Sequence, residues 1–272
     1  MKFKIVADSS CDLREDYIND KDVGFEIVPL TINIDNESFI DNVDLDINLM
    51  LTKMKNSKEA AKTSCPSPYF FSKSYEEAEH VFVVTISSKL SGTYNAAYLG
   101  SVDSNNKVHV VDSKGTSGMM ILLIDKLYEL IKSNYSYEEI IEKIEEYQKT
   151  LNLFFVLDKF DNLVKNGRMS KLTALAATAL FIKPLCLAVD GQIGIYEKPR
   201  TMKAALIRLV HNIGEKCNDF SKCVITHCNN IENANLVKKM VLEKYNFKEV
   251  VVLDMKGLCS FYALENGIIV SF

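Results

Sequence analysis

The chain has 272 residues, 47% hydrophobic and 25% charged, with 32 Lys and Arg against 36 Asp and Glu and a formal net charge of −4. This mixture belongs to a folded globular protein, not a disordered one, and it lacks the basic footprint of a nucleic-acid binder or of a protein held on an anionic membrane. The length suits one large domain or two medium ones, each able to bury a core. The most apolar stretch, residues 172–189, is broken by Thr173, Thr178, Lys183 and Pro184. It therefore predicts a helix followed by a strand, with no integral membrane segment. The N-terminus runs straight into a strand pattern without the long apolar core of a signal peptide, so a cytoplasmic location is expected. Seven cysteines are an odd number, and free, mostly buried thiols are expected.

Residues 3–7 predict a short strand. Asp12 with Glu15 three residues on predicts a capping box and a helix start. Residues 25–34 read as a strand that turns at Asp35-Asn36-Glu37 into 38–40. A helix is predicted over 46–55, and Ser67-Pro68 form an N-cap and first-turn pair for a helix to about 80. The apolar run 81–86 has the composition of a strand buried on both faces of a parallel sheet. A helix follows from Thr93, then a second such strand at 108–111 and a helix at 118–132. Ser136 with Glu139 is another capping box, opening a helix with Ile140, Ile144 and Tyr147 as its apolar stripe.

The second half changes grammar. Residues 153–157 predict a strand. Gly167 suits the left-handed position after a short helix, and Ser170 opens a helix to about 182. Strands at 185–189 and 192–197 flank Asp190-Gly191, a two-residue hairpin signal. A helix from Thr201, a strand at 223–226, a helix at 234–243 and strands at 250–253 and 268–270 follow. The predicted fold class is α/β with two domains: an N-terminal parallel-sheet α/β domain, residues 1–155, and a C-terminal two-layer α+β domain, residues 156–272.

Ligands of open parallel sheets bind at the carboxyl ends of the strands. The segments at that rim are rich in hydroxyls: Asp8-Ser9-Ser10, Thr63-Ser64, 87–93 and 112–117. Ser91-Gly92-Thr93 stands out, because it lies between a buried strand and a helix start, where free N–H groups favour an anion and Gly92 permits close approach. Ordinary helix capping by Ser91 and Thr93 is the competing explanation. Asp41, Asp44 and Asp46 miss the calcium-loop spacing and read as a solvated helix start. Cys217, Cys223, His227 and Cys228 fit no zinc spacing, so no metal site is expected. His80, His109 and His211 have no catalytic partner in the sequence. There is no nucleophile elbow, dinucleotide fingerprint or phosphate loop, so in any phosphoryl transfer another protein must hold the ATP. Arg168 and the 198–203 segment read, on their own, as surface salt-bridging groups.

Taken in order along nearly the whole chain, several segments resemble the DegV family, the fatty-acid-binding subunits of bacterial fatty acid kinase. They are Ile5-Val6-Ala7-Asp8-Ser9-Ser10-Cys11-Asp12-Leu13, Thr63-Ser64-Cys65-Pro66-Ser67 with Cys65 in place of Gln, Ile86-Ser87-Ser88-Lys89-Leu90-Ser91-Gly92-Thr93-Tyr94, Val111-Asp112-Ser113-Lys114, Asn166-Gly167-Arg168-Met169-Ser170, Ile182-Lys183-Pro184-Leu185 with Asp190-Gly191, and Lys198-Pro199-Arg200-Thr201. The resemblance implies a non-enzymatic carrier with no cofactor, holding a long-chain fatty acid between two domains. Thr63 and Ser91 would hydrogen-bond its carboxylate beside Gly92, with Arg168 in support. Arg200 would belong to the surface that docks an ATP-binding fatty acid kinase subunit, which phosphorylates the bound acid to an acyl phosphate. Leu172, Leu175, Ala176, Ala179 and Leu180 would give an apolar slot beside the lipid. Ala263 stands where the family carries a His. Fewer groups then hold the carboxylate, or Tyr262 substitutes, or the protein carries lipid without kinase coupling. Two rival functions are an acyl- or phosphoryl-transfer enzyme, which needs a base near Ser91, and a binding module for another small anion.

Overall fold

The computed structural model describes residues 1–102, 104–170 and 182–272. Strands β1 (Phe3–Asp8), β2 (Val23–Val28), β6 (His80–Thr85) and β7 (Lys107–Asp112) form a parallel sheet in the order β2-β1-β6-β7. β1 is buried along its whole length, as expected of a central parallel strand covered on both faces. On one face lie α2 (Pro68–Ser74) and α3 (Thr93–Ser101); on the other lie α4 (Gly118–Lys132) and α5 (Tyr137–Thr150). The predicted capping box of α5 is present, with Glu139 N donating to Ser136 Oγ at 3.2 Å and Ser136 N donating to the Glu139 carboxylate at 2.8 Å.

A second, mixed sheet has six strands in the order β10-β9-β8-β13-β11-β12. These are β8 (Leu153–Val156), β9 (Leu185–Val189), β10 (Gln192–Glu197), β11 (Lys222–His227), β12 (Glu249–Asp254) and β13 (Ile268–Ser271). Asp190 and Gly191 join β9 to β10 with φ of 44° and 80°, the left-handed pair that a tight hairpin with right-twisted strands requires. The outer face of this sheet is covered by α7 (Met202–Lys216) and α8 (Ile231–Lys244). Helix α4 runs between the two sheets. Met119 to Ile124 are all buried, so the first part of the helix is apolar all round, as an interior segment must be. A Cβ at Gly118 would lie 2.9 Å from Ser271 Oγ and 3.0 Å from Val224 Cβ, so the glycine lets the helix start press directly on the second sheet.

Three sequence expectations are corrected. The segment at Asp12 is not a helix start: Ser9–Cys11 is a single 3-10 turn and Asp12 closes it at φ 59°, because the Asp12 side chain is used inside the protein, as described below. The strand expected over 25–34 is two strands in different sheets. The chain breaks at Pro29, which has no N–H to continue a ladder, and β3 (Thr31–Ile34) joins β4 (Glu37–Ile40) and β5 (Lys62–Ser64) in a small antiparallel sheet, order β4-β3-β5. Helix α2 ends at Ser74, not near 80, since the chain turns into the left-handed region at Glu77, φ 70°. Helix α1 (Ile47–Asn56) follows its expected cap, with Leu49 N donating to Asp46 Oδ1 at 2.9 Å. Short helices α6 (Asp161–Lys165) and α9 (Gly257–Ala263) lie on the inner side of the second sheet. The helix expected over 170–182, with Leu172, Leu175, Ala176, Ala179 and Leu180, falls outside the described residues but for its two ends. All seven cysteines are free, and Cys65 alone is exposed. Among the described residues, no helix is long and apolar enough to cross a membrane, and no group of three or more His, Cys, Asp or Glu could hold a metal ion.

Candidate ligand-binding site

The carboxyl ends of β1, β2, β6 and β7 point toward the inner face of the second sheet, and a cavity lies between them. It encloses about 830 Å³ of atom-free space, including its open mouth. Its walls are mainly aliphatic and aromatic: Leu30, Ile86 and Leu90 come from the loops of the parallel sheet, and Phe155, Ile193 and Ile269 from strands of the second. The alternation of β8 places Leu153, Phe155 and Leu157 on the cavity side, while Phe154 and Val156 pack on the outer helices. This is the period-two division of a strand covered on both faces.

One group of polar side chains gathers at one end of the wall. Thr63 on β5 and Tyr262 on α9 share a hydroxyl hydrogen bond of 2.8 Å. Ser91 shares one of 2.8 Å with Thr93 Oγ1, and also accepts from Thr93 N at 3.3 Å. Ser91 thus answers one N–H at the start of α3, but the N-cap is Gly92 and no side-chain capping bond is made there; Ser91 is half-buried and lines the cavity, whereas Thr93 is fully buried. Arg168 reaches from the turn after α6 into the same end. Its Nε donates to Leu90 O at 2.9 Å and its Nη1 to Asn166 O at 2.6 Å, and its guanidinium carbon stands 5.9 Å from the centre of the Tyr262 ring. Gly167, at φ 75°, turns the chain so that Arg168 can take this position. Burial pushes the Tyr262 hydroxyl above its ordinary pKa, with Thr63 and Arg168 acting weakly the other way.

Charge balance distinguishes Arg168 from its neighbours. Lys114, also in the wall, pairs with Asp190 at 2.8 Å. Among the described residues no carboxylate forms an ion pair with Arg168, whose half-buried guanidinium is met only by carbonyl oxygens and a ring face. A partly desolvated cation at the polar end of an apolar cavity favours an anion there.

Thr63, Ser91 and Arg168 are therefore brought together around one cavity end. Gly92 sits beside them on the exposed rim as the N-cap of α3, at φ −72°. A Cβ there would meet only Cys65 Sγ at 3.5 Å, so the protein's own packing does not require the glycine. Arg200 is exposed just before α7 and is absent from the cavity wall. Ala263 is in the wall, next to Tyr262.

The density of hydroxyls in the loops overstates the ligand-facing set, because most are used internally. Ser9 Oγ accepts from Leu30 N at 3.0 Å, Ser10 Oγ donates to Asp8, Ser87 Oγ donates to Gly191 O at 2.8 Å, and Ser88 Oγ donates to Asp112 at 2.5 Å. Sequence reasoning also missed a buried acidic cluster. Asp41, expected in a solvated helix start, is 3% exposed; it accepts from Gly257 N at 2.7 Å and Leu258 N at 2.9 Å. Asp12, also 3% exposed, accepts from Lys256 N at 2.6 Å and Ser117 Oγ at 2.5 Å. Asp8 accepts from Ile86 N at 2.7 Å and Ser10 N at 2.9 Å. Desolvation pushes Asp8 up to about 6 and Asp12 up to about 7, and raises Asp41. The one available signal was an acidic residue directly after an apolar one, in Ala7-Asp8, Cys11-Asp12 and Ile40-Asp41, and that pattern is common on surfaces.

Comparison with known proteins places the whole chain among relatives. The model of the DegV family of uncharacterised proteins matches residues 2–271. A DegV domain-containing protein of Streptococcus gordonii is 37% identical over 278 residues, covering 100% of this chain and 99% of its own. Among solved structures, the Streptococcus pneumoniae Fatty Acid Kinase (Fak) B3 protein, loaded with linoleic acid, superposes with a TM-score of 0.96 at 35% identity, with 100% of this chain and 99% of that one covered. A DegV family protein of Eubacterium eligens, loaded with heptadecanoic acid, gives 0.92 at 34% identity, over 99% and 98% of the two chains. A DegV family protein of Ruminococcus gnavus, with vaccenic acid, gives 0.91 at 34% identity, over 99% of each.

Proposed function

This chain belongs to the DegV family, and from that premise we propose that it is a fatty-acid carrier that buries a long acyl chain and presents the carboxylate to a partner kinase. The observation that carries the reading is the apolar cavity ending at Arg168, a guanidinium with no carboxylate partner among the described residues. Burying one CH₂ gives about 0.8 kcal/mol, so a chain of ~16 carbons gains on the order of 12 kcal/mol gross, ample for retention after the ordering cost of association. The tail supplies most of the affinity and the polar end sets direction. The carboxylate accepts from the hydroxyls of Thr63 and Ser91 near the N–H groups at Gly92, with Arg168 balancing its charge. Tyr262, already bonded to Thr63, stands at the place left without an imidazole by Ala263.

The carboxylate is itself an ionised nucleophile, so acyl phosphate formation asks no general base of this chain. One carboxylate oxygen takes the γ-phosphoryl group of ATP held by the kinase, and the bond from phosphorus to the departing ADP oxygen breaks. Arg200, exposed and away from the cavity wall, belongs in this reading to the kinase-facing surface. The division into units 1–155 and 156–272 belongs to the same proposal. The change from the parallel sheet, whose last strand ends at Asp112, to the six-stranded sheet supports two units, although β8 (Leu153–Val156) of the second sheet spans the boundary itself. The relatives crystallised with fatty acids support a lipid carrier without a cofactor; a cytoplasmic location belongs to the same proposal. Mass spectrometry of denatured protein purified from cells should reveal a long-chain fatty acid, and delipidated protein should take up palmitic acid again. Delipidated, folded protein that takes up none refutes the reading.

A further inference from the structure

Helix α9 supplies Leu258, Cys259, Tyr262 and Ala263 to the cavity wall, yet it begins without a capping side chain of its own. Its N-cap is Lys256, whose side chain makes no capping bond. A helix start leaves N–H groups that need acceptors when buried. Here they are taken by two carboxylates from the other half of the chain, more than two hundred residues away. Lys256 N donates to Asp12 Oδ1 at 2.6 Å, Gly257 N to Asp41 Oδ1 at 2.7 Å and Leu258 N to Asp41 Oδ2 at 2.9 Å. The approach is so close that a Cβ at Gly257 would lie 2.5 Å from Asp41 Oδ1 and 2.4 Å from Leu45 Cδ2. The second carboxylate oxygen of Asp12 takes Ser117 Oγ, and Ser117, held at φ 56°, also bonds Thr226 Oγ1 at 2.7 Å and donates its N–H to Ser10 O at 2.7 Å. A strained residue at the start of α4 and the start of α9 are thereby tied to one carboxylate. At the far end of α9, Asn162 Nδ2 donates to Phe261 O at 2.7 Å.

We infer that Asp41, with Asp12, is a positioning residue for the ligand site: by fixing the start of α9 against the first half of the chain, it sets where Tyr262 stands beside Thr63. Neither carboxylate is in the cavity wall. Both act through the helix that is. This inference rests on the fatty-acid reading and adds to it two residues that never touch the ligand. It also accounts for the glycine at position 257, which lets the carboxylate reach two successive N–H groups.

The test is a double-mutant cycle on palmitic acid affinity with delipidated full-length protein. Asp41→Asn keeps the side-chain volume and one acceptor oxygen but leaves one α9 donor unanswered. It should weaken binding about tenfold, and Tyr262→Phe about fivefold. The double variant should stay within about twofold of Asp41→Asn alone, because both changes break the same placement. Unchanged affinity in Asp41→Asn, or a double variant about fiftyfold weaker than the parent, overturns the inference while leaving fatty-acid binding intact. A parent protein that binds no palmitic acid overturns the fatty-acid reading itself. Amide hydrogen exchange on the unmutated protein gives a second measure should a variant fail to fold. Palmitic acid should protect the N–H groups of residues 256–258 at least fivefold more than it protects those of α7. Equal protection in the two helices overturns the inference.

Discussion

Two polar clusters flank helix α9, one at its start and one near its end, and they differ in how their charges are answered. At the start, Asp12 and Asp41 are sealed from solvent, and hydrogen-bond donors of the protein meet both oxygens of each. Near the end, Thr63, Ser91 and Tyr262 bond neighbouring hydroxyls, while the Arg168 charge is matched by no carboxylate among the described residues. A buried cluster whose members satisfy one another holds the fold together, whereas a half-buried cluster with one unmatched charge has capacity left for a ligand. Hydroxyl composition alone does not separate the two, because both clusters contain hydroxyls from the loops, Ser117 in the sealed one and Thr63 and Ser91 in the open one.

Substitution should pull the two clusters apart. The largest effect is expected at the sealed one: Asp12→Ala strands the Lys256 N–H and removes a partner of Ser117, costing about 3 kcal/mol of stability, read as a drop in unfolding temperature of roughly 6 °C or more. An unfolding temperature within one or two degrees of the parent would mean that the cluster is not a structural support. At the open cluster the effect should fall on the ligand instead. Arg168→Met should weaken palmitic acid binding by about 30-fold, the value of one charge-assisted contact, and change thermal stability by less than about 1 kcal/mol. The reverse pattern, intact binding with a destabilised fold, would make Arg168 a structural group. Thr63→Ala with Ser91→Ala should weaken binding about tenfold, and binding equal to the parent's would remove both hydroxyls from the carboxylate's contacts.

The smallest effect is a pH dependence confined to the sealed cluster. The folded-state values of Asp8 and Asp12, about 6 and about 7, lie above the ordinary 3.8. The folded chain therefore holds more protons than the unfolded chain between those limits. The stability due to these groups is fully present below about pH 4 and is lost as pH rises through 6 to 7. Unfolding temperature should fall by a few degrees between pH 5 and pH 8, and Asp12→Asn should flatten that slope. Asp41, Cys11 and Cys259 lie around this carboxyl with the Lys256 backbone N–H, and burial raises both thiols well above their ordinary range, so neither ionises in the window. A slope identical in the parent and in Asp12→Asn would assign the titration elsewhere.

Much of the fold was legible because its signals are local. The apolar run at β6, the capping box of α5, and Asp190-Gly191 with left-handed backbone angles each carry their own reason for their conformation. That Thr63, Ser91 and Arg168 line one cavity was legible only through motif order, since 77 positions separate Ser91 from Arg168 and nothing local brings them together. Asp12 and Asp41 were misread for a related reason. An Asp three residues before a Glu is a sound helix-start signal, and here a tertiary demand overrode it: the N–H groups of a helix whose own N-cap is a lysine. A cap supplied across more than two hundred residues leaves no periodicity to detect.

The unmatched guanidinium is tested most directly by the carboxyl-carbon resonance of [1-¹³C]palmitic acid added to delipidated protein. One bound signal is expected, distinct from the free acid, that stays ionised down to about pH 5 in the parent and titrates at higher pH in Arg168→Met, where the opposing charge is gone. A bound signal with the same position and pH dependence in both proteins would contradict this expectation.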